Sequence, residues 1–391
     1  MKNKASLTVI FITIFIDLMG FGILIPILPT FASKELGVPD YGIGIIVAIF
    51  SLMQFLFNPL LGKLSDAVGR KPIIASTLLL TSISYVIFSF AKSFGILFLS
   101  RALAGIGGSN IGVAQAYIAD ITPPEERLKG MGIIGVAFGL GFVFGPLIGA
   151  FISKFGYTIT GLSSAVFSFT AFLFSLLILP ESRQRKSEKI NFRFKLFDLV
   201  YIKEVIRKPV VGLLIIIFFL VIFSIANMYG TFALLGYKFY HFTDQQNGIL
   251  FGIMGIIGAI VQGGLIKFTN KFSERALLFL GLILMMFGLA GIPYGGNFLG
   301  VIIIISILSI GTGILQPLIL SMISKYSPKE EQGSVLGLNQ SFSAFARVLG
   351  PLWGGFSYEY LGYKAPFLTG AVFTFFVFLI VINFLKKIVL T

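Results

Sequence analysis

The chain reads as an all-α polytopic membrane protein, with twelve transmembrane helices in two pseudo-symmetric six-helix bundles. Three observations predict this. First, 56% of the 391 residues are hydrophobic and only 12% are charged, with 44 Phe, 45 Gly and a mean hydropathy of +0.97. An ordinary soluble domain carries about 25% charged residues, whereas a lipid-facing surface excludes them, because each charge at mid-bilayer costs roughly 2.5–3.5 kcal/mol on insertion scales. Second, apolar stretches of about 20 residues, the length that spans hydrocarbon, recur along the chain. Third, two motifs repeat at one offset. Thr122-Pro123-Pro124-Glu125-Glu126 returns as Ser327-Pro328-Lys329-Glu330-Glu331, and Gly145-Pro146-Leu147-Ile148-Gly149-Ala150-Phe151 returns as Gly350-Pro351-Leu352-Trp353-Gly354-Gly355-Phe356, each 205 residues on. The copies sit at the same place relative to a span, so the fifth and eleventh spans are equivalent members of parallel six-helix halves. A pseudo-twofold along the membrane normal follows, with a substrate path between the halves.

The spans are expected near 7–31, 41–62, 72–92, 94–119, 128–153, 158–180, 209–236, 245–268, 276–294, 298–323, 333–358 and 365–385. The first follows Met1-Lys2-Asn3-Lys4 and resembles a signal peptide. Its apolar run is too long for one, contains Asp17 and lacks a small-x-small cleavage site, so it reads as a span. Between the second and third spans, Gly62-Lys63-Leu64-Ser65-Asp66-Ala67-Val68-Gly69-Arg70-Lys71-Pro72 forms a charged turn that cannot lie in hydrocarbon and marks a membrane surface. The one long hydrophilic stretch, residues 181–208, holds nine Lys or Arg against four acids and divides the chain into bundles at 1–180 and 209–391. Within it Phe192, Phe194, Leu196, Phe197, Val200, Tyr201 and Ile202 alternate with bases. Two readings fit that segment: an amphipathic piece on the inner leaflet, or a solvated connector.

The net charge of +14 does not point to nucleic acid once the bases are placed. Of the 30 Lys and Arg, 23 fall on the side of both termini and the 62–72 turn, five (positions 34, 92, 154, 238 and 364) fall on the other, and Arg101 and Arg347 fall inside spans. Such a bias is the positive-inside rule, which makes both termini and the linker cytoplasmic, with the bacterial inner membrane the expected location. The chain has no cysteine, so thiol chemistry and thiolate metal sites are excluded, and the single His241 cannot assemble a metal site alone. No G-x-x-x-x-G-K-[ST] loop occurs for nucleotide binding. One deep acid, one peripheral histidine and no cysteine leave no material for an active site, so an enzyme is not expected and no catalytic residue is assigned.

These residues carry a family resemblance. The 62–72 turn is similar to the loop between spans two and three of the major facilitator superfamily, written G-x-L-x-D-x-x-G-R-K/R. The fifth span, with Gly139, Gly141, Gly145, Pro146 and Gly149, resembles that superfamily's antiporter motif, and Phe98-Leu99-Ser100-Arg101 followed by small residues resembles its fourth-span motif. Asp17-Leu18-Met19-Gly20-Phe21-Gly22 with Pro26 and Pro29, and Ala119-Asp120-Ile121-Thr122-Pro123, place the resemblance nearest the 12-span drug:proton antiporters and, within them, tetracycline-efflux-like transporters. The resemblance covers nearly the whole chain. It implies a proton-coupled antiporter that exports a small amphipathic compound by alternating access, with no cofactor beyond a proton gradient. A proton symporter or facilitator of the same fold is the alternative. The expected partners are the substrate, protons and membrane lipid, and a monomer is the expected state. The resemblance also implies that Asp66, Arg70 and Asp120 form a charge cluster, a latch for one access state. Gly62 and Gly69 allow close backbone approach and positive φ in that turn.

Among the 16 acids only Asp17 lies deep in a span, about 16 Å in at roughly 1.5 Å per residue. A carboxylate there must be protonated or paired, which makes Asp17 the candidate proton-coupling group and Arg101 its modulator. In the fifth span, small residues at intervals of four with Pro146 suggest a close helix contact and a bend, read as a tight seam between halves. Gln54 and Asn58 on span two, Gln115 with Arg101 on span four, and Gln340, Ser343 and Arg347 on span eleven follow helical spacing. They line the substrate cavity or bond helix to helix. Asp17, Arg101 and Arg347 sum to +1 inside the membrane, which favours a neutral, zwitterionic or anionic substrate over a permanent cation.

Overall fold

A computed structural model describes residues 2–122, 127–182, 199–269, 272–327 and 332–388. Within them run fifteen α-helices: α1 (Lys2–Leu24), α2 (Leu28–Lys34), α3 (Asp40–Val68), α4 (Arg70–Ser89), α5 (Phe94–Gly107), α6 (Asn110–Ile121), α7 (Arg127–Ile152), α8 (Tyr157–Leu177), α9 (Leu199–Arg207), α10 (Pro209–Lys238), α11 (Asp244–Thr269), α12 (Glu274–Gly291), α13 (Phe298–Tyr326), α14 (Gln332–Tyr360) and α15 (Ala365–Ile388). Among the described residues there is no strand. Hydrocarbon cannot satisfy an open backbone, and helices satisfy it internally. Pro123 to Glu126, Pro328 to Glu331 and the linker residues Phe192, Phe194, Leu196 and Phe197 lie outside the described residues.

Eleven stretches are long and apolar enough to cross a membrane; α1 with α2 form the first and α5 with α6 the fourth. The remaining long helix, α14, has 29 residues and occupies the predicted eleventh span. It falls short in apolar composition because Asn339, Gln340, Ser341, Ser343 and Arg347 crowd its middle. A twelve-span protein fits this arrangement.

Two spans are broken. The first opens at residues 25–27, around Pro26, and Pro29 falls in the first turn of α2, where its missing N–H is not needed. The fourth opens at Gly108 and Ser109. The predicted 62–72 turn is far shorter than expected: α3 continues through Lys63-Leu64-Ser65-Asp66-Ala67-Val68, and only Gly69 stands between α3 and α4. At 29 residues, α3 is about 43 Å long and overshoots a hydrocarbon core of about 30 Å, so its charged end can stay helical in water. The linker also contributes regular structure. In α9 Val205 is buried while Lys203, Glu204 and Arg207 are exposed, an amphipathic piece as the pattern allowed.

The chain folds as two compact units, residues 1–38, 49–194 and 243–252 in one and residues 39–48, 195–242 and 253–391 in the other. Each therefore includes a short segment from the opposite half of the sequence. In the first unit α1 packs on α7 and α8, and α4 on α5 and α8; in the second α10 packs on α14 and α15, and α12 on α13 and α15. Polar contacts hold the short segments. Asp40 pairs with Lys238 at 2.6 Å and its backbone N–H donates to Glu359 at 2.7 Å, while Asp244 accepts from Thr30 at 2.7 Å and Tyr157 at 2.8 Å.

The sequence repeat is also a packing repeat. A Cβ on Gly145 would stand 2.6 Å from Gly22 Cα, one on Gly141 2.7 Å from Leu18 Cβ and one on Gly149 2.6 Å from the Ile23 carbonyl, so α1 and α7 meet backbone to backbone. In the second unit Gly350 meets Ala226 Cβ at 2.7 Å and Gly354 meets Asn227. Gly22 and Asn227 stand at the same repeat offset as Gly145 and Gly350. The glycines of α7 thus seat α1, while the contact with the other half of the sequence expected of this span is made beside them. A different face of α7 receives α11: a Cβ on Gly248 would stand 2.8 Å from both the Pro146 carbonyl and Ala150 Cβ. Gly139 meets nothing within 4 Å. Gly145→Val is therefore expected to lower the thermal unfolding midpoint of the purified protein by the equivalent of about 1–3 kcal/mol, with Gly139→Ala leaving it unchanged.

Candidate functional site

Asp17 lies on α1, five residues before the Gly22 crossing, and is only 6% exposed. Its two oxygens are separately engaged. Ser168 Oγ of α8 donates to Oδ1 at 2.7 Å, and Asn110 Nδ2 donates to Oδ2 at 3.0 Å. The break at Gly108–Ser109 makes Asn110 the first residue of α6, so the carboxylate takes its hydrogen bond from the amide-rich, positive end of a helix. Small residues bring the partners close: a Cβ on Gly20 would stand 2.9 Å from the Ser164 carbonyl, which lets α1 and α8 approach where Ser168 reaches across. Neither Asn110 nor Ser168 was singled out by sequence; the signal was the Gly107-Gly108-Ser109 interruption just before Asn110.

Arg101 does not pair with Asp17. It is 3% exposed, and its guanidinium carbon lies 5.5 Å from the Tyr85 ring centroid and 6.0 Å from those of Phe50 and Phe88. Its Nε and Nη2 have no hydrogen-bond partner, so aromatic faces rather than a carboxylate offset its charge. Tyr85 is 1% exposed and lies within electrostatic reach of both Asp17 and Arg101. It is a third member of this buried group that periodicity alone did not mark.

The polar stripes separate on inspection. Gln54 Nε2 donates to the Gly108 carbonyl at 3.0 Å, bonding α3 to the fourth-span break, whereas Asn58 Oδ1 is buried without a partner. Gln115 and Gln340 are exposed. Ser343 is 1% exposed and donates to the Asn339 carbonyl at 2.8 Å, so it serves its own helix. Arg347 is partly exposed, with Tyr229 of α10 beside it.

At the charged end of α3 the expected cluster is assembled. Arg70 is 4% exposed; its Nη2 lies 2.7 Å from Asp66 Oδ1, its Nε 3.0 Å from Asp120 Oδ2, and its Nη1 donates to Ser65 Oγ at 2.6 Å. Gly69 has φ +105°, a left-handed position suited to glycine. Gly62 instead sits inside α3 with nothing within 4 Å of a Cβ position, so the close approach expected of it is absent. The residue not foreseen is Glu181. Its carboxylate accepts from the backbone N–H groups of Arg70 at 2.9 Å, Lys71 at 3.1 Å and Ser182 at 3.0 Å. Glycine at the N-cap of α4 has no side chain to cap it, and Glu181 supplies the missing acceptor from the end of the sixth span. Ser182 Oγ also donates to Asp120 Oδ2 at 3.2 Å, tying the start of the linker to the cluster.

A helical membrane protein of repeated halves, with a hydrogen-bonded intramembrane carboxylate and a buried arginine joined to two acids at the end of α3, is the class these features define. A family model described as Major Facilitator Superfamily matches residues 10–351 and 265–388, and the chain belongs to that family. It is 30% identical to "Multidrug resistance protein 1" of Bacillus subtilis (strain 168), over 92% of this chain and 91% of that protein. It is 31% identical to "Tetracycline resistance protein, class E" of Escherichia coli, over 89% of this chain and 86% of that one. Among solved structures, the human organic anion transporter MFSD10 (TETRAN) is similar with a TM-score of 0.72 and 25% identity, covering 97% of this chain and 99% of that chain.

Glu181→Ala is expected to lower the unfolding midpoint of the purified protein by the equivalent of about 0.5–2 kcal/mol, the range of a lost N-cap. The same change at exposed Glu204 should have no effect. Equal effects at both positions, read by thermal unfolding in detergent, would remove the capping role.

Proposed function

We propose that this protein is a secondary active transporter that exports a small amphipathic compound in exchange for protons, by alternating access between its two six-helix halves. It works as a monomer in the bacterial cytoplasmic membrane, with both termini in the cytoplasm. No chemical conversion and no cofactor are involved; the proton gradient supplies the energy. The observation that carries the reading is Asp17, the one deep carboxylate, held between Ser168 and Asn110 in the interior of the first unit. Protonation would let it trade acceptor bonds for a donor bond without leaving a bare charge in the membrane. Relatives named for multidrug and tetracycline resistance support export, and the relative described as an organic anion transporter fits an interior whose fixed charges sum to +1.

In this reading Arg101 acts on Asp17 through Tyr85 instead of through a direct ion pair. The cluster of Asp66, Arg70, Asp120 and Glu181 stabilises one access state, so the transport cycle includes a step in which it opens.

The test is a proteoliposome assay with an imposed pH gradient and a trapped pH dye, in which a panel of amphipathic compounds is added to wild type and to Asp17→Asn. A compound that drives proton movement in wild type and not in the variant is the expected result. Equal transport by both would make Asp17 structural and favour a facilitator.

A further inference from the structure

Arg347 stands midway along α14 as a cation without a counter-charge. Among the described residues it forms no ion pair, no hydrogen bond and no ring stack, and Tyr229 is the one titratable side chain that reaches it. The described acids of the second half sit at helix ends: Asp244 opens α11, Glu274 opens α12, and Glu359 lies one residue from the end of α14. Glu359 is twelve residues from Arg347, about 18 Å along the helix, and already accepts from the Asp40 backbone.

The contrast with Arg101 is informative. Arg101 is sealed at 3% exposure and faces three rings, so its charge is offset within the protein. Arg347 remains partly open. Gln340, two turns earlier on the same side of α14, is exposed. Asn339, the residue just before Gln340, has its amide oxygen and nitrogen both buried without a partner. Arginine and glutamine in mid-span facing lipid would be doubly unfavourable, and intramembrane charges generally face a protein interior or a water-filled space. The planar guanidinium presents a fork of donors that matches a carboxylate in two-point contact.

We infer that Arg347, assisted by Gln340, is the recognition site for the charged group of an amphipathic organic anion, with a carboxylate as the group that fits the fork. The inference rests on the transport reading, since it names the class of compound carried. It assigns Arg347 to substrate and leaves Asp17, in the other unit, to the proton. The substrate then brings the counter-charge that no described side chain supplies to Arg347.

The experiment uses the purified full chain in detergent, with no pH gradient, and three probes sharing one apolar body: naphthaleneacetate, naphthaleneacetamide and naphthylmethylamine. Binding is read by microscale thermophoresis at neutral pH. Wild type should bind the carboxylate most tightly. Arg347→Gln should weaken carboxylate binding by about ten-fold or more and leave the amide unchanged, which also reports that the variant is folded. Arg347→Lys keeps the charge without the fork and should weaken the carboxylate several-fold; it carries the comparison if the glutamine variant does not fold. Wild type that fails to prefer the carboxylate, or substitutions that leave that preference intact, would overturn the inference. Because no gradient is present, such a result leaves proton coupling standing, and a failure of proton coupling leaves this site standing.

Discussion

The approach of α1 to α7 is the contact on which the rest of the first unit depends. Gly22 and Gly145 meet with no side chain between them, and membrane helices lack a hydrophobic driving force toward one another, so such close packing does the work of association. Asp17 is a little over one turn away on α1, and its position relative to Ser168 of α8 and Asn110 of α6 follows from how deeply α1 is seated. A Cβ at the crossing would displace α1 and, with it, the carboxylate. The second unit repeats the crossing with Asn227 where the first has Gly22. Asn227 is fully buried there and donates to the Pro366 carbonyl of α15 at 2.6 Å, which ties a third helix to the packing contact. The halves share a scaffold and differ in polarity at the corresponding depth.

Much of this was legible in the chain because membrane insertion forces a simple code. Apolar length gave the spans, and the 205-residue repeat paired α7 with α14. The charged cluster at Asp66, Arg70 and Asp120 was anticipated through the family resemblance, since Asp120 lies 50 residues from Arg70. Other features were not readable, for definite reasons. Glu181 caps α4 from 111 residues away, and no local pattern announces an acceptor supplied by a distant segment. Asn110 and Ser168 look like any small polar residues in a span until a helix break and a glycine contact aim them at Asp17. The sequence named Arg101 a modulator of Asp17 without deciding whether the two touch; aromatic rings from α3 and α4 surround Arg101 instead, because a quadrupole leaves no trace in a count of formal charges. Gly62 illustrates the reverse error: a glycine in a charged motif was read as a turn residue when helix propensity on either side carried α3 straight through it.

The buried polar groups are distributed with a consistent logic. In the first unit the acid is hydrogen-bonded and the base is surrounded by rings, so neither depends on the other for solvation. Two intramembrane charges held in this way can change protonation or partner separately, which a tight ion pair would resist.

The polarity of α14 has a consequence for how the protein is made. A segment with Arg347 near its centre and amides and hydroxyls around it partitions poorly into lipid on its own, since a central arginine alone opposes insertion by roughly 2.5–3.5 kcal/mol. It emerges from the ribosome after α10, whose 30 residues are strongly apolar and whose Ala226 and Asn227 receive Gly350 and Gly354. The partner that packs against the α14 segment thus precedes it in the order of synthesis.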